Sequence, residues 1–405
     1  MVQPAPNLIR AANDRAALQA LVDRGPLTRP EIGALLGLSK PTASQLLNRL
    51  QEAGFVVPEG IREGGPGRAA ELYRINPHIA HVACFDVTPE RIEALVADVT
   101  GTVRGKARLE LSDQADSTGG VIDRLRAALT KACTRAGVSH ADLHHAVIGV
   151  QGALNPATGR LGYAAHLPDW RIPDLLRTLS DGLGVPTSVE NDVNLVALAE
   201  MAHGAARSHR NFVLLWASDG LGMALMLEGS LYRGATGGAG EIGYMPVPGA
   251  PIPHASERPA TYGYHALTGG PTVLKVLRSY GFRGANPAAA MQAAARAWAA
   301  PAPATAERAA NAFRDVANRL ATGLAAVVSV IDPELVVLAG DVLLAGGHPL
   351  RELVEQELHT MTIPKPPLRL STLEGNPVLS GALDRAVTQT RDRLFNAAAL
   401  LPTQT

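Results

Sequence analysis

The sequence predicts an α/β protein in which a winged helix-turn-helix head, residues 1–78, precedes a body, residues 79–405, made of two similar α/β halves. Three observations predict it. Two helix-start signatures flank a tight glycine turn and lead into a glycine-rich hairpin. Beyond residue 78, three strand-like runs lead into alternating helices and strands, and the same pattern then begins again. Between those patterns, VENDVNLVALAE (residues 189–200) sets two polar residues between an apolar strand and a helix.

Composition bounds the possibilities. A chain of 405 residues exceeds the size at which single cores stop growing, so two or three domains are expected. Lys plus Arg equal Asp plus Glu at 37 each, which excludes a general polyanion binder and confines any nucleic-acid affinity to a local patch. With only Cys84 and Cys133, a disulfide framework and a four-cysteine zinc site are excluded. Arg10, Asp14, Arg15, Asp23 and Arg24 interrupt the first 30 residues, so neither a secretory signal nor a membrane span is expected, and the expected compartment is the cytoplasm.

In the head, Ala17, Leu18, Leu21 and Val22 recur at helical spacing within Asn13–Arg24, and Gly25-Pro26 ends the run. Thr28 with Glu31 is a capping box opening a short helix to Leu36, with Pro30 tolerated in its first turn. Ser39 caps a third helix that stops at Gly54. Ala43, Leu46, Leu47 and Leu50 form its apolar stripe, while Pro41, Ser44, Gln45 and Asn48 form a polar one flanked by Lys40, Thr42 and Arg49. Such side chains suit base edges and phosphates. A strand Phe55–Val57, a turn at Pro58-Glu59-Gly60, the run Gly64–Arg68 and a strand Glu71–Ile75 then read as a wing. Arg68 stands at its tip and Arg62 on its approach. Nine Lys and Arg against seven Asp and Glu leave the head a net of only +2, so charge alone does not single out DNA. A protein-interaction module of the same shape is the alternative.

In the body, strands are expected at His81–Asp86, Arg91–Val99 and Val103–Leu111, then helix Ser117–Ala136, strand Ala146–Val150, helix Pro173–Leu183, strand Thr187–Glu190 and helix Asp192–Ala206. The second round has strands Phe212–Ala217, Leu221–Glu228 and Leu231–Arg233. Helices between Tyr262 and Ile331, strand Leu335–Ala339 and a last α/β unit ending in helix Leu379–Ala398 follow. The halves are expected at about 79–190 plus the C-terminal helix, and about 191–378, with a cleft between them.

Four ordered segments, GVQGALNPATGRLGYAAHLPDW, VENDVNLVALAE, GSLYRGATGGAGEIGYMPV and IDPELVVLAG, resemble in order and spacing the ROK family (repressor, open reading frame, kinase). The resemblance spans essentially the whole chain, and the head places it with the repressor branch. It implies an actin-like ATPase fold for the body. It also implies that Asn191, Asp192 and Glu241 match sugar-contacting positions, with His166 where relatives often carry an asparagine. In the kinases the residue matching Asp192 is the general base. Gly152 and Gly240 allow close approach of a ligand. The plainer alternatives are that Asn191 or Asp192 only caps the following helix and that Glu241 is a solvated loop acid.

The chain departs from the kinase pattern where phosphates are held. Val87-Thr88-Pro89-Glu90 replaces a Gly-Gly-Thr run, Ser218-Asp219-Gly220 replaces Gly-Thr-Gly, and the adenosine-side loop is Gly340-Asp341. At the family's zinc loop Tyr244 stands at the histidine position, and residues 244–270 hold no cysteine; His254 and His265 remain. No metal, cofactor or catalytic residue is therefore expected, and Tyr244 and His265 are expected to line the ligand site. The expected function is a transcriptional regulator, a repressor, acting as a homodimer or homotetramer on a double-stranded palindromic operator under a sugar-type effector. The alternatives are a sugar kinase with an appended head, using Asp192 as base, and a DNA-binding protein whose cleft is vestigial.

Overall fold

The structure is a computed structural model describing residues 6–64, 68–111, 120–164, 167–252 and 262–398. The head contains α1 (Pro6–Arg24), α2 (Arg29–Leu36) and α3 (Lys40–Glu52), with β1 (Leu27–Thr28), β2 (Val56–Gly64) and β3 (Arg68–Ile75) forming a sheet in the order β1–β3–β2. Its helices start where their caps dictate. The Thr28 side chain accepts from the Glu31 N–H while the Glu31 carboxylate accepts from the Thr28 N–H, and the Ser39 hydroxyl accepts from the Thr42 N–H. Gly37, at φ 64°, ends α2 in the left-handed conformation.

The turn expected at Pro58-Glu59-Gly60 is not formed. β2 runs through it to Gly64, with a register shift against β3 between Pro58 and Gly60. A bulge tolerates a proline, which has no N–H for the ladder. The strands pair as far as Gly64 with Arg68. Residues 65–67, where the sequence places the wing tip, lie outside the described residues, and so do those on which any account of the Arg68 side chain rests.

The first half of the body has β4 (His81–Val87), β5 (Arg91–Asp98), β6 (Val103–Glu110), α4 (Val121–Ala136) and β7 (Leu143–Val150). A small hairpin, β8 (Ala153–Leu154) with β9 (Leu161–Gly162), follows, then α5 (Leu175–Leu183), β10 (Thr187–Asn191) and α6 (Asp192–Ala202). The second half has β11 (Phe212–Ala217), β12 (Leu221–Leu227), β13 (Ser230–Tyr232), α7 (Gly263–Thr268), α8 (Gly270–Ser279), α9 (Pro287–Trp298) and α10 (Pro303–Ile331). It ends with β14 (Leu335–Ala339), α11 (Asp341–Met361), β15 (Leu368–Leu370) and α12 (Pro377–Ala398).

The two five-stranded sheets have the orders β6–β5–β4–β7–β10 and β13–β12–β11–β14–β15. In each, the first strand of a meander lies at the centre and the fourth and fifth strands extend the sheet on its other side, so the repeat in the sequence is a repeat of topology. β4, β11 and β14 are almost wholly buried, which is why β11 and β14 read as continuous apolar runs and β4 does so between His81 and Asp86. β6, at an edge, alternates buried with exposed positions.

By contacts the chain divides into two compact units. One comprises residues 1–148, 176–188 and 382–405; the other comprises 149–175 and 189–381. Residues 149–175 thus group with the second half of the body. In the first unit, the head shares its core with the body: Leu18, Ile32, Leu47 and Tyr73 join Ala80, Val99, Phe395 and Ala398 in one buried cluster. Arg15 is ion-paired with Asp392 at 2.7 Å and donates to Asn396, so the end of α12 is tied to α1. In the second unit, α7 to α11 pack on β11, β12 and β14 around Tyr264, Leu277, Phe313 and Leu324.

Candidate functional site

On the head, α3 separates its faces as its periodicity requires. Ala43, Leu46, Leu47 and Leu50 are buried, whereas Ser39, Lys40, Pro41, Thr42, Gln45 and Asn48 are exposed and Ser44 is half-buried. The two arginines behave differently from this polar stripe. Arg49 holds Asp14 through both Nε and an Nη atom, and Asp14 is 1% exposed, so this guanidinium clamps α3 to α1. Burial still raises the Asp14 carboxyl above its ordinary range, with Arg49 opposing. Arg62, half exposed, is ion-paired with Glu31 of the capping box.

On the body, the second unit gathers most of the expected ligand residues. Asn191 is the N-cap of α6: its Oδ1 accepts from the Asn194 N–H at 3.1 Å, and its Nδ2 donates to the Gly152 carbonyl at 3.2 Å. Asp192 Oδ1 accepts from the Val193 N–H at 2.9 Å. Both residues are half-buried, and each side chain accepts from a backbone N–H at the start of α6. Glu241 is no solvated acid. Its carboxyl is pushed up to about 7, first by burial and then by the neighbouring charge of Asp192. The preceding Gly240, at φ 96°, lets this loop lie on β12, since a β-carbon there would sit 2.0 Å from the Met223 carbonyl oxygen.

Tyr244 ends the short turn after Glu241, and its hydroxyl is raised by burial, then by the charge of Glu241 and by Tyr163. Its ring meets that of Tyr163 at 5.9 Å between centroids, tilted by 60°. His265, on α7, sits behind the turn, its Nδ1 being 3.6 Å from where a β-carbon on Gly243 would lie; burial lowers its pKa and favours neutral imidazole. His166 and His254 lie outside the described residues.

Sequence reasoning missed what supports these groups. Glu190, 5% exposed, takes Nε and Nη2 of Arg233 at 2.9 and 2.8 Å and accepts from Asn194 Nδ2 at 2.9 Å. This network, buried at Glu190 and Asn194 and open at Arg233, joins the Asn191–Asp192 junction to the loop leading to Glu241. The signal was a glutamate near the end of β10 and an arginine directly after β13. Tyr163 and Trp170 were also missed.

The loops that hold phosphates in kinases are closed on themselves here. The Thr88 hydroxyl accepts from the N–H groups of Glu90 and Arg91, and the Thr88 N–H donates to the Arg91 carbonyl, completing the β4–β5 hairpin. Asp86, 5% exposed, has Arg91 at 3.7 Å. At the second loop the Ser218 N–H donates to the Gly220 carbonyl, and the Gly270 N–H donates to the Asp219 carbonyl. The N–H groups of Thr88, Glu90, Arg91 and Ser218 are thus engaged within the chain, and Pro89 has none. Zinc of the family type does not fit either: residues 244–270 hold no cysteine, His265 is the one histidine of that loop among the described residues, and both cysteines are buried inside β4 and α4.

Comparison with known proteins agrees with this architecture. Residues 82–384 match the model of the ROK family, and residues 12–69 match that of the MarR family. A putative xylose repressor of Caldicellulosiruptor sp. (strain Rt8B.4) is 24% identical over 359 residues, covering 85% of this chain and 87% of that one. A crystal structure of a ROK family transcriptional regulator, homologous to the E. coli MLC protein, superposes with TM-score 0.71 at 17% identity over 97% of this chain and 99% of that one. The ROK hexokinase from Thermus thermophilus superposes with TM-score 0.60 at 26% identity over 77% of this chain and 99% of the enzyme. The actin-like sugar-kinase fold expected for the body is therefore present behind a helix-turn-helix head, and with three quarters of its length matching the model, the chain belongs to the ROK family.

Proposed function

We propose that this protein is a sequence-specific DNA-binding transcriptional regulator, a repressor, whose body serves as a carbohydrate receptor and not as a kinase. One observation carries it. The exposed stripe Ser39, Lys40, Thr42, Gln45 and Asn48 lies on a helix whose other face is fully buried, followed by a β-hairpin wing. Helix-turn-helix proteins present their second helix to the major groove in this way. Lys40 and the wing arginines Arg62 and Arg68 then contact the backbone or the minor groove, while Ser44, Gln45 and Asn48 face base edges.

In the body, Asn191, Asp192 and Glu241, with Gly152, Tyr244 and His265 around them, take a polyhydroxylated ligand, to which the family resemblance adds His166; carboxylates and amides bridge neighbouring hydroxyls. Supporting a receptor over an enzyme are the self-closed loops at 87–91 and 218–220. The regulator works as a homo-oligomer, because two heads spaced by about 34 to 36 Å, or a multiple, read a palindrome. A coupling of roughly 1 to 3 kcal/mol between effector and DNA suffices for a switch.

The test is footprinting of the full-length protein across its genome. Recovered sites sharing a two-fold symmetric motif are the expected result. No enriched sequence, or ATP-dependent sugar phosphorylation lost in Asp192→Asn, overturns the proposal.

A further inference from the structure

Beside the carboxylates of the second unit lies a cavity of about 340 Å³ whose walls are Tyr163, Tyr244, Trp170, Leu161, Leu167 and Arg171. Asn191, Asp192 and Glu241 are not among its lining residues, yet Tyr244 belongs to both places: its hydroxyl feels the charge of Glu241, and its ring meets that of Tyr163. Geometry joins the two: Asn191 Nδ2 donates to the Gly152 carbonyl at 3.2 Å, and a β-carbon on Gly152 would lie 3.4 Å from Leu161 and 3.0 Å from Ala164, both of which line the cavity. We propose that this cavity is a second sugar subsite, so that the effector is a disaccharide or longer oligosaccharide with one ring at Asp192 and Glu241 and the next between Tyr163, Tyr244 and Trp170. The inference rests on the carbohydrate reading of the first site and adds the length of the ligand to it.

The chemistry of the wall selects the occupant. The exposed Tyr163 ring and the half-buried Tyr244 ring offer flat apolar surface, with Leu161 and the buried Trp170 and Leu167 completing the lining, and a pyranose ring has an apolar face of axial C–H bonds to lay on it while its hydroxyls point outward. No lining residue is acidic, so a cationic ring finds no partner. Arg171, exposed at the rim, supplies a fork of donors for outward hydroxyls. The volume lies near the lower end of the range for small-molecule sites, enough for one ring.

The wall is also built. Trp170 is 4% exposed, whereas Tyr163, 46% exposed, sits at φ 57°. A tyrosine in the left-handed region carries strain that its fold must offset. The ring lies over Gly238, where a β-carbon would come within 2.7 Å of it, so the glycine loop before Glu241 admits the tyrosine. Tyr244 stands where zinc-binding relatives carry histidine, and the substitution that removes a metal ligand supplies an aromatic wall.

Calorimetric titration of the full-length protein tests this with matched pairs: xylose against xylobiose, and glucose against cellobiose and maltose. In at least one pair the disaccharide binds about ten-fold more tightly than its own monosaccharide. Tyr163→Gly, which suits the positive φ and keeps the fold, reduces that advantage to about two-fold or less and leaves monosaccharide affinity unchanged. Asp192→Asn abolishes binding of both lengths. Monosaccharide binding without a disaccharide advantage in any pair overturns the second subsite and leaves the first site standing. A disaccharide advantage unaffected by Tyr163→Gly also overturns it. No binding of either length by the folded protein defeats the carbohydrate reading itself, and the subsite with it.

Discussion

Replacing Glu241 with glutamine tests whether burial and Asp192 hold this carboxyl protonated. The group's ordinary value is 4.5, and in the folded protein it lies at about 7. Between these values the folded state binds more protons than the unfolded chain, so stability falls as pH rises through that window. The contribution is fully present below pH 4.5 and lost above about 7. At about 1.4 kcal/mol per pH unit the interval amounts to roughly 3 kcal/mol. Glutamine mimics the neutral acid and has no such dependence. Thermal unfolding of wild type and Glu241→Gln from pH 4.5 to 8 is therefore expected to give nearly equal melting temperatures at the acid end. Toward pH 8 the variant becomes progressively the more stable, by several degrees, in the absence of sugar. Asp192→Asn reproduces only part of this gain, because desolvation is the larger cause. A difference that does not change with pH, or a wild type more stable than the variant at pH 8, refutes the burial assigned to Glu241.

Other substitutions address the head. Arg49→Ala leaves the buried Asp14 without the guanidinium that hydrogen-bonds it and lowers stability by about 3 kcal/mol, while Asp14→Leu with Arg49→Leu recovers most of it; unchanged melting with lost DNA affinity would instead make Arg49 a DNA contact. Gln45→Ala and Asn48→Ala change base preference at single operator positions by about 1 to 3 kcal/mol per base pair, read by binding to operator variants. Loss of affinity that is equal for all sequences would remove them from the base edges. Phe395→Ala empties a site that is 2% exposed and costs about 3 to 5 kcal/mol, and hydrogen exchange is expected to rise in α1 and α2 as well as in α12. Faster exchange confined to α12 would deny that helix a part in the head's core.

Local signals were the legible ones. Thr28 with Glu31, Ser39 and Asn191 each bind backbone groups within three residues, so their helix starts could be read directly. The repeated meander was legible because buried strands and glycine turns recur in the same order. What escaped depends on partners distant in the chain. Arg49 sits on the flank of a polar stripe, and only its packing against Asp14, 35 residues earlier, makes it a clamp. The turn expected at Pro58 is a bulge because β3 pairs on both sides of it. β8 and β9, two residues each, are too short to show a period, and the aromatic wall beside them went unseen with them. The loop before Glu241 lies against β12 through the approach of Gly240 to Met223, a contact that no spacing along the loop announces.

The most direct measurement is the affinity of the full-length protein for its recovered operator, titrated with a sugar that binds it, in wild type and Asp192→Asn. A receptor that governs a DNA-binding head changes operator affinity by at least about five-fold when the sugar is present, and Asp192→Asn keeps DNA binding while losing that response. Operator affinity indifferent to a sugar that demonstrably binds, or turnover of that sugar with ATP, contradicts it.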